Sequence, residues 1–350
     1  MLIPQGGIRM KKLRFIMIGL LILGIAGLGF AAGGKEAKSP AVDKVYTLRL
    51  ATVVAPPHPW IEMAEFFARE TEGKTGGKVK VNIHHSATLG NDATILDELR
   101  VGTIDFVIGG TQNAAQFVPE YQVFGLSYLF NSQEHFEKAI TYGGKVFNRY
   151  AQLHEEKKLN MKLLALAGGG TRNASSNLKH FITPEDLKGI KMRLPGSPIE
   201  AKLWSALGAL PTSLPWNEIY SAVQTGVVNA FESTISGYYG SKLYEVAPFM
   251  SRTEHLYMLT HFTMSQVSFG KLPDAYRKII EEVAPKAALL GTEKGKEFDE
   301  KLLKEMQTKF GIKVAAVQKP AFVQKVAPLH DELAAAAKGS DILAMIREIK

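Results

Sequence analysis

The chain has 350 residues, of which 46% are hydrophobic, a formal net charge of +8 and no cysteine. The missing thiols exclude disulfides, thiolate metal sites and lipid attachment behind a leader. Four of the cations stand together at Arg9, Lys11, Lys12 and Arg14, which leaves +4 on the rest with no basic block, so nothing in the charge points to nucleic acid.

The basic cluster runs into an almost wholly apolar stretch, residues 15–30. Those 16 residues match a long signal-peptide core and fall short of the roughly 20 a bilayer span needs. Gly29-Phe30-Ala31 and Phe30-Ala31-Ala32 both offer the small-x-small pattern of a cleavage site. Residues 1–32 therefore read as a cleavable signal peptide, with Met10 as an alternative start, and the mature chain as periplasmic. An uncleaved anchor is the competing reading. Residues 33–44 are small, charged and aperiodic, the composition of a disordered tether. Roughly 305 residues remain, enough for one large or two medium domains.

From residue 45 onward strand and helix signals alternate, the pattern of an α/β fold. Residues 45–54 are rich in β formers and end at Pro56-Pro57. Trp60, Met63, Ala64 and Phe67 share one face of an amphipathic helix, which Gly76-Gly77 stops. Val79, Val81 and Ile83 alternate as a second strand. Residues 91–100 are helical, and 104–108 form a buried strand feeding Gly109-Gly110-Thr111. A β-α-β-α-β opening of this kind binds ligands beyond the carboxyl ends of its strands. Residues 133–158 are mostly helical, and 161–167 are an apolar strand ending in three glycines. A second, similar unit follows: Thr183 caps a helix begun by Pro184, 190–194 is a strand, 199–207 and 218–224 are helices, and 226–231 is another strand. Two such sheets joined by crossovers imply two lobes with a cleft between them. Residues 272–311 read as one long helix or two in tandem, and 321–337 as a closing amphipathic helix.

Enzyme signatures are absent. There is no phosphate loop, no HExxH and no nucleophile elbow, and His84-His85, adjacent on a strand, point to opposite faces rather than sharing a metal. The informative residues lie at strand ends of the second unit. Gly168-Gly169-Gly170 precedes Arg172, where successive N–H groups can face an anion, although a loop arginine is more often merely solvated. Arg193 alternates with Met192 and Leu194 in a buried strand and needs a partner there, either an internal carboxylate or a ligand's. Trp216, in a loop before a helix, serves as a lid on the core or as a stacking wall. His58 sits between two prolines after the first strand, where ligands bind or where a histidine is simply solvated.

At these residues the chain resembles the DctP-type substrate-binding proteins of tripartite ATP-independent periplasmic (TRAP) transporters. The matching segments run in the family's order: Leu89-Gly90-Asn91-Asp92, Gly102-Thr103-Ile104-Asp105-Phe106, Gly170-Thr171-Arg172, Pro184-Glu185-Asp186-Leu187-Lys188-Gly189 into Lys191-Met192-Arg193, Leu207-Gly208-Ala209 with Pro211-Thr212, Gln224-Thr225-Gly226-Val227-Val228, and Thr253-Glu254-His255. The resemblance implies a two-lobed periplasmic binding protein fold with a long helix spanning both lobes, taken here as 45–169 plus 259–298 for lobe I and 170–258 plus 299–350 for lobe II. It implies a ligand carboxylate on Arg193, supported by Arg172, with Trp216 where the family commonly has a smaller aromatic. Ser233 stands where some relatives have a ligand-contacting asparagine, and Gly110 replaces an acid found in sialic-acid-binding relatives, so sialic acid is disfavoured. His58 and Asn113 supply the first lobe's side of the site.

The expectation is thus a non-enzymatic, monomeric receptor for a small carboxylate that serves TRAP membrane subunits. It needs no cofactor or metal and has no nucleic-acid partner. An ABC-type or sensor-linked receptor, or a periplasmic enzyme acting on a carboxylate, are the rival readings; the enzyme needs a general base near Arg193, for which the sequence offers no convincing residue.

Overall fold

A computed structural model describes residues 44–350. The expected signal peptide, 1–32, and all of the expected tether but Lys44 lie outside the described residues. Among the described residues no helix is long and apolar enough to cross a membrane.

In chain order the strands are β1 Tyr46–Ala51, β2 Val79–His84, β3 Phe106–Gly110, β4 Met161–Ser176, β5 Lys191–Leu194, β6 Leu210–Ser213, β7 Ala230–Thr234, β8 Phe249–Ser265 and β9 Lys313–Ala316. They form one sheet in the order β2-β1-β3-β8-β4-β7-β5-β6, with β9 beside β8. Two parallel triplets, β1–β3 and β5–β7, flank the long antiparallel pair β4 and β8. The sequence implied two separate sheets. Instead β4, with 16 residues, and β8, with 17, run through both halves and make the sheet continuous. The first part of β8 pairs with the end of β4 near β7, and its last part pairs with β3 and the start of β4.

The glycine triplet also differs from expectation. It does not end a strand in a turn. β4 passes through it with a register shift between Gly168 and Thr171, and Gly170 adopts φ +98°, a conformation that strains any residue with a Cβ. The reason lies across the sheet. Helix Asp274–Lys309, with 36 residues and so about 54 Å long, crosses β4 here. A Cβ at Gly295 would stand 2.7 Å from the Gly170 nitrogen and 3.0 Å from the Gly169 carbonyl carbon. Gly168 N–H donates to Thr292 Oγ1 at 2.8 Å and Thr171 N–H to Asp299 Oδ2 at 2.7 Å. The acceptors these amides face belong to the helix.

The 272–311 segment is therefore one helix, despite Pro285 inside it. It serves two apolar cores. Ile280, Val283, Ala284, Ala287 and Ala288 belong to the larger, with Phe67, Phe106 and Phe262 packed edge to face beneath them. Phe298, Leu302 and Met306 belong to the smaller, with Ile219, Phe231 and Tyr238. Each of the larger side chains, Ile280, Val283, Phe298, Leu302 and Met306, contributes about 1.5–3 kcal/mol when fully buried, so both cores depend on this helix. The helix Pro59–Lys74 buries Trp60, Met63, Ala64 and Phe67, the face its periodicity gives, and His58 caps it by accepting the Trp60 N–H on Nδ1 at 3.2 Å. The expected 321–337 helix is broken into Lys319–Val326 and His330–Ala336 around Pro328, which removes one N–H from the helical ladder and crowds the preceding turn.

Because the Gly295 contact is backbone on backbone, Gly295→Ala is expected to cost about 1–3 kcal/mol of stability, as overpacking does. Gly270→Ala is the control, since a Cβ there meets nothing within 4 Å; its midpoint in urea unfolding should stay near the parent's.

Candidate functional site

The carboxyl ends of both parallel triplets converge on one partly open cavity. The first triplet's loops bring Val53, Val54 and His58, then Asp92 at the start of helix Asp92–Val101, then Gly110, Gln112 and Asn113 after β3. The second brings Arg193 and Pro195 from the end of β5, Trp216, and Thr234 and Gly237 from the end of β7. Arg172 and Met258 come from the shared strands, and Trp60 completes the wall.

Arg172 is not a solvated loop residue. It is 5% exposed, in mid-strand, paired in register with Thr234 of β7, and its side chain reaches the fully buried Glu232 two positions along that strand. Its Nε and Nη2 donate to the two carboxylate oxygens of Glu232 in a fork-to-fork pair, and Nη2 also reaches the Glu232 carbonyl at 3.1 Å. Strand alternation places Glu232 on the cavity side. Burial alone would push the Glu232 pKa up, but the Arg172 guanidinium and His255 hold it well below the ordinary carboxylate range. His255 Nε2 stands 3.4 Å from Glu232 Oε2. Thr253 Oγ1 accepts the Ala174 N–H at 3.1 Å and lies 2.9 Å from His255 Nδ1. With the hydroxyl hydrogen given to Nδ1, the remaining ring proton sits on Nε2, toward Glu232.

Arg193 is treated differently. It is 2% exposed, yet no carboxylate forms an ion pair with it among the described residues. Its Nε and Nη2 both donate to one carbonyl, Leu214 O, at 2.9 and 2.6 Å, and its guanidinium carbon lies 5.8 Å from the Trp216 ring centroid. Burial pulls its pKa down to about 10, with Glu232 opposing and Arg172 reinforcing the shift. It remains a cation at neutral pH. A carbonyl dipole and a ring face offset only part of a buried charge, so this guanidinium retains an unmet demand for an anion.

Of the residues expected at the site, Arg193, Arg172, Trp216, His58 and Asn113 line this one cavity. Ser233 does not. It is buried on the opposite strand face from Glu232 and Thr234, paired in register with Asn173. His58 is held neutral, its pKa pushed down to about 3 by burial. The indole of Trp216 donates to Ser241 Oγ at 3.1 Å and fits only because residue 237 is glycine: a Cβ there would be 3.0 Å from the ring. Asn113 Oδ1 accepts the Gly196 N–H at 3.3 Å, tying the loop after β3 to the loop after β5. Sequence reasoning missed Trp60, Asp92, Gln112, Thr234 and Met258. Asp92 had a usable signal, an acid in the first turn of a helix that follows a strand. Its pKa is raised by burial, against Arg193 and a hydrogen bond from Asn113. No group of three or more His, Cys, Asp or Glu among the described residues is arranged to hold a metal, and both Glu232 oxygens are engaged by Arg172.

A family profile described as bacterial extracellular solute-binding protein, family 7, matches residues 50–337. A solute-binding protein of Sulfitobacter sp. (strain NAS-14.1) is 30% identical over 304 residues, covering 86% of this chain and 90% of its own. Among solved structures, a TRAP periplasmic solute-binding protein of Sulfurospirillum deleyianum with bound succinate is 26% identical with a TM-score of 0.82, covering 88% of this chain and all of its own. One from Chromohalobacter salexigens with bound D-glucuronate is also 26% identical, with a TM-score of 0.80 over 87% of this chain and all of its own.

The buried pair has a stability consequence. Arg172→Ala leaves the Glu232 carboxylate uncompensated, and an expected loss of about 3–5 kcal/mol in denaturant unfolding follows. Glu232 has a folded-state pKa below the ordinary 4.5, so the stability it adds is complete above that pH and is lost as the pH falls toward the depressed value. Glu232→Gln should remove that acid limb from the stability profile.

Proposed function

The chain belongs to the bacterial extracellular solute-binding proteins of family 7, and on that premise we propose that it captures a small organic acid in the periplasm and delivers it to TRAP membrane subunits. The observation that carries this reading is the inequality of the two arginines. Arg172 is matched by Glu232, whereas Arg193 is matched by a carbonyl alone. A ligand carboxylate supplies the missing anion, and a planar guanidinium accepts it by two parallel hydrogen bonds. Arg172 stays with Glu232 and orients the second face of the carboxylate through its field. Trp216 packs on the ligand body, while His58 and Asn113 close over it from the other side.

The far wall sets the ligand's other end. Asp92 beside Asn113 repels a second carboxylate and accepts hydroxyl hydrogens. A hydroxylated monocarboxylate, of the kind bound by the Chromohalobacter protein, therefore suits the cavity better than a C4-dicarboxylate. Capture proceeds by closing lobe I, 45–169 plus 259–298, onto lobe II, 170–258 plus 299–350. The bound ligand adds contacts only in the closed form and so shifts the balance toward it. Export by the 1–32 signal peptide, a monomeric mature chain and absence of turnover complete the proposal.

Protein refolded from denaturant, to remove retained ligand, tests this by thermal shift against D-glucuronate, related sugar acids and succinate. Ligand at 100 times Kd adds about 2.7 kcal/mol, a rise of several degrees. The sugar acids are expected to give the larger shift, Arg193→Ala to abolish it with the circular dichroism spectrum intact, and Asp92→Asn to improve succinate relative to glucuronate. Tight binding that survives in Arg193→Ala, or a response to neutral sugars alone, overturns the reading.

A further inference from the structure

Behind the arginines lies a carboxyl that ligand capture, as just described, does not use. Glu200 stands in the first turn of helix Pro198–Ala206 and is 2% exposed. Its Oε1 faces Gly125, 3.2 Å from where a Cβ of that glycine would be, and has no hydrogen-bond partner among the described residues. The cavity-lining Gln112 is close enough to draw the pKa of the same carboxyl down, which relates it to the ligand space. No cation forms an ion pair with it among the described residues. The charges that act on it are Arg172 from β4, Arg193 from β5 and Glu232 from β7. The remaining elements against its helix contribute little. The segment Pro119–Gly125 brings Glu120, paired with Lys157 at 3.0 Å. Helix Lys319–Val326 brings Lys319 and Lys325, paired with Glu254 at 3.7 Å and Glu185 at 3.0 Å. β6 has no titratable side chain, Lys202 of its own helix is exposed, and His255 of β8, its ring 5.2 Å from that of Trp204 on the same helix, is pushed toward its neutral form by burial.

We propose that Glu200 is a proton-binding site coupled to ligand capture, protonated whenever the cavity holds an anion. An ionised carboxylate in that place has lost its water and gained no counter-ion. Burial first, and then the like charge of Glu232, push its pKa up to about 8. Counting the Asp92 carboxylate across the cavity, Arg172, Arg193, Glu232 and Glu200 sum to zero with the proton in place and to one net negative charge without it, so the proton removes a charge that opposes an anion. A bound carboxylate holds the proton more firmly, and by reciprocity the proton holds the carboxylate. The coupling rests on the proposed carboxylate at Arg193, while the proton site itself does not.

Two measurements separate these parts. In ligand-free protein, infrared spectra from about pH 6 to about pH 9 should show a protonated carboxyl band that titrates near pH 8 and is missing in Glu200→Gln. Absence of that band overturns the proton site. Calorimetry with D-glucuronate and with succinate, in two buffers of different ionisation heat, should show proton uptake near pH 9 and little near pH 7. Affinity should weaken about tenfold between those values in the parent, as a pKa of about 8 dictates, and stay level in Glu200→Gln, which mimics the protonated form. Binding without uptake, or the same pH dependence in Glu200→Gln, overturns the coupling and leaves the receptor reading intact. Failure of both acids to bind at either pH counts against the receptor reading, and the infrared band then judges the proton site alone.

Discussion

The pairing of Arg172 with Glu232 is the interaction on which the site depends. Two arginines buried side by side repel each other and lose hydration together. Among the described residues one internal carboxylate is present at ion-pairing distance, and it is committed to Arg172 by a fork-to-fork geometry and by the backbone of β7. The second arginine is thereby left charged and underbonded in the wall of the cavity. The anion affinity proposed for this site would thus be the residue of an incomplete neutralisation. Adding one more acid at ion-pairing distance from Arg193 would make the apo protein more comfortable and the site useless.

Such an arrangement requires a frame that does not relax around it. The frame consists of elements common to both cores: β4, β8 and the helix Asp274–Lys309. Arg172 is in β4, Met258 and His255 are in β8, and the helix is locked to β4 through Gly295 and the amides of Gly168 and Thr171. The residues most exposed to electrostatic strain stand where the chain has least freedom to move away.

Much of this was legible in the order of residues and some was not. The α/β class, the amphipathic helix bearing Trp60 and Phe67, the long helix and the burial of Arg193 follow from periodicity and from the charge of one residue in an apolar strand. β8 was not foreseen. It is buried on both faces and carries Thr260, His261 and Thr263 among its apolar residues, so alternation gives no signal. The glycine triplet looked like a loop because glycine is a poor strand former; here closeness to a crossing helix decided. Glu232 and Arg172 are 60 residues apart, and nothing local marks them as partners. Glu200 reads from sequence as an ordinary acid in a first helical turn, and only the packing of Gly125 against it removes its water.

The sheet order bears on how this chain can be made. β3 pairs Phe106 with Met264, across more than 150 positions of sequence, and β4 finds the same late strand. The larger core cannot close until β8 exists, and neither core is finished before the long helix has formed. Contacts so remote slow folding, so most of the polypeptide stays open during synthesis. That delay keeps a newly made chain unfolded and threadable until its last third has been made.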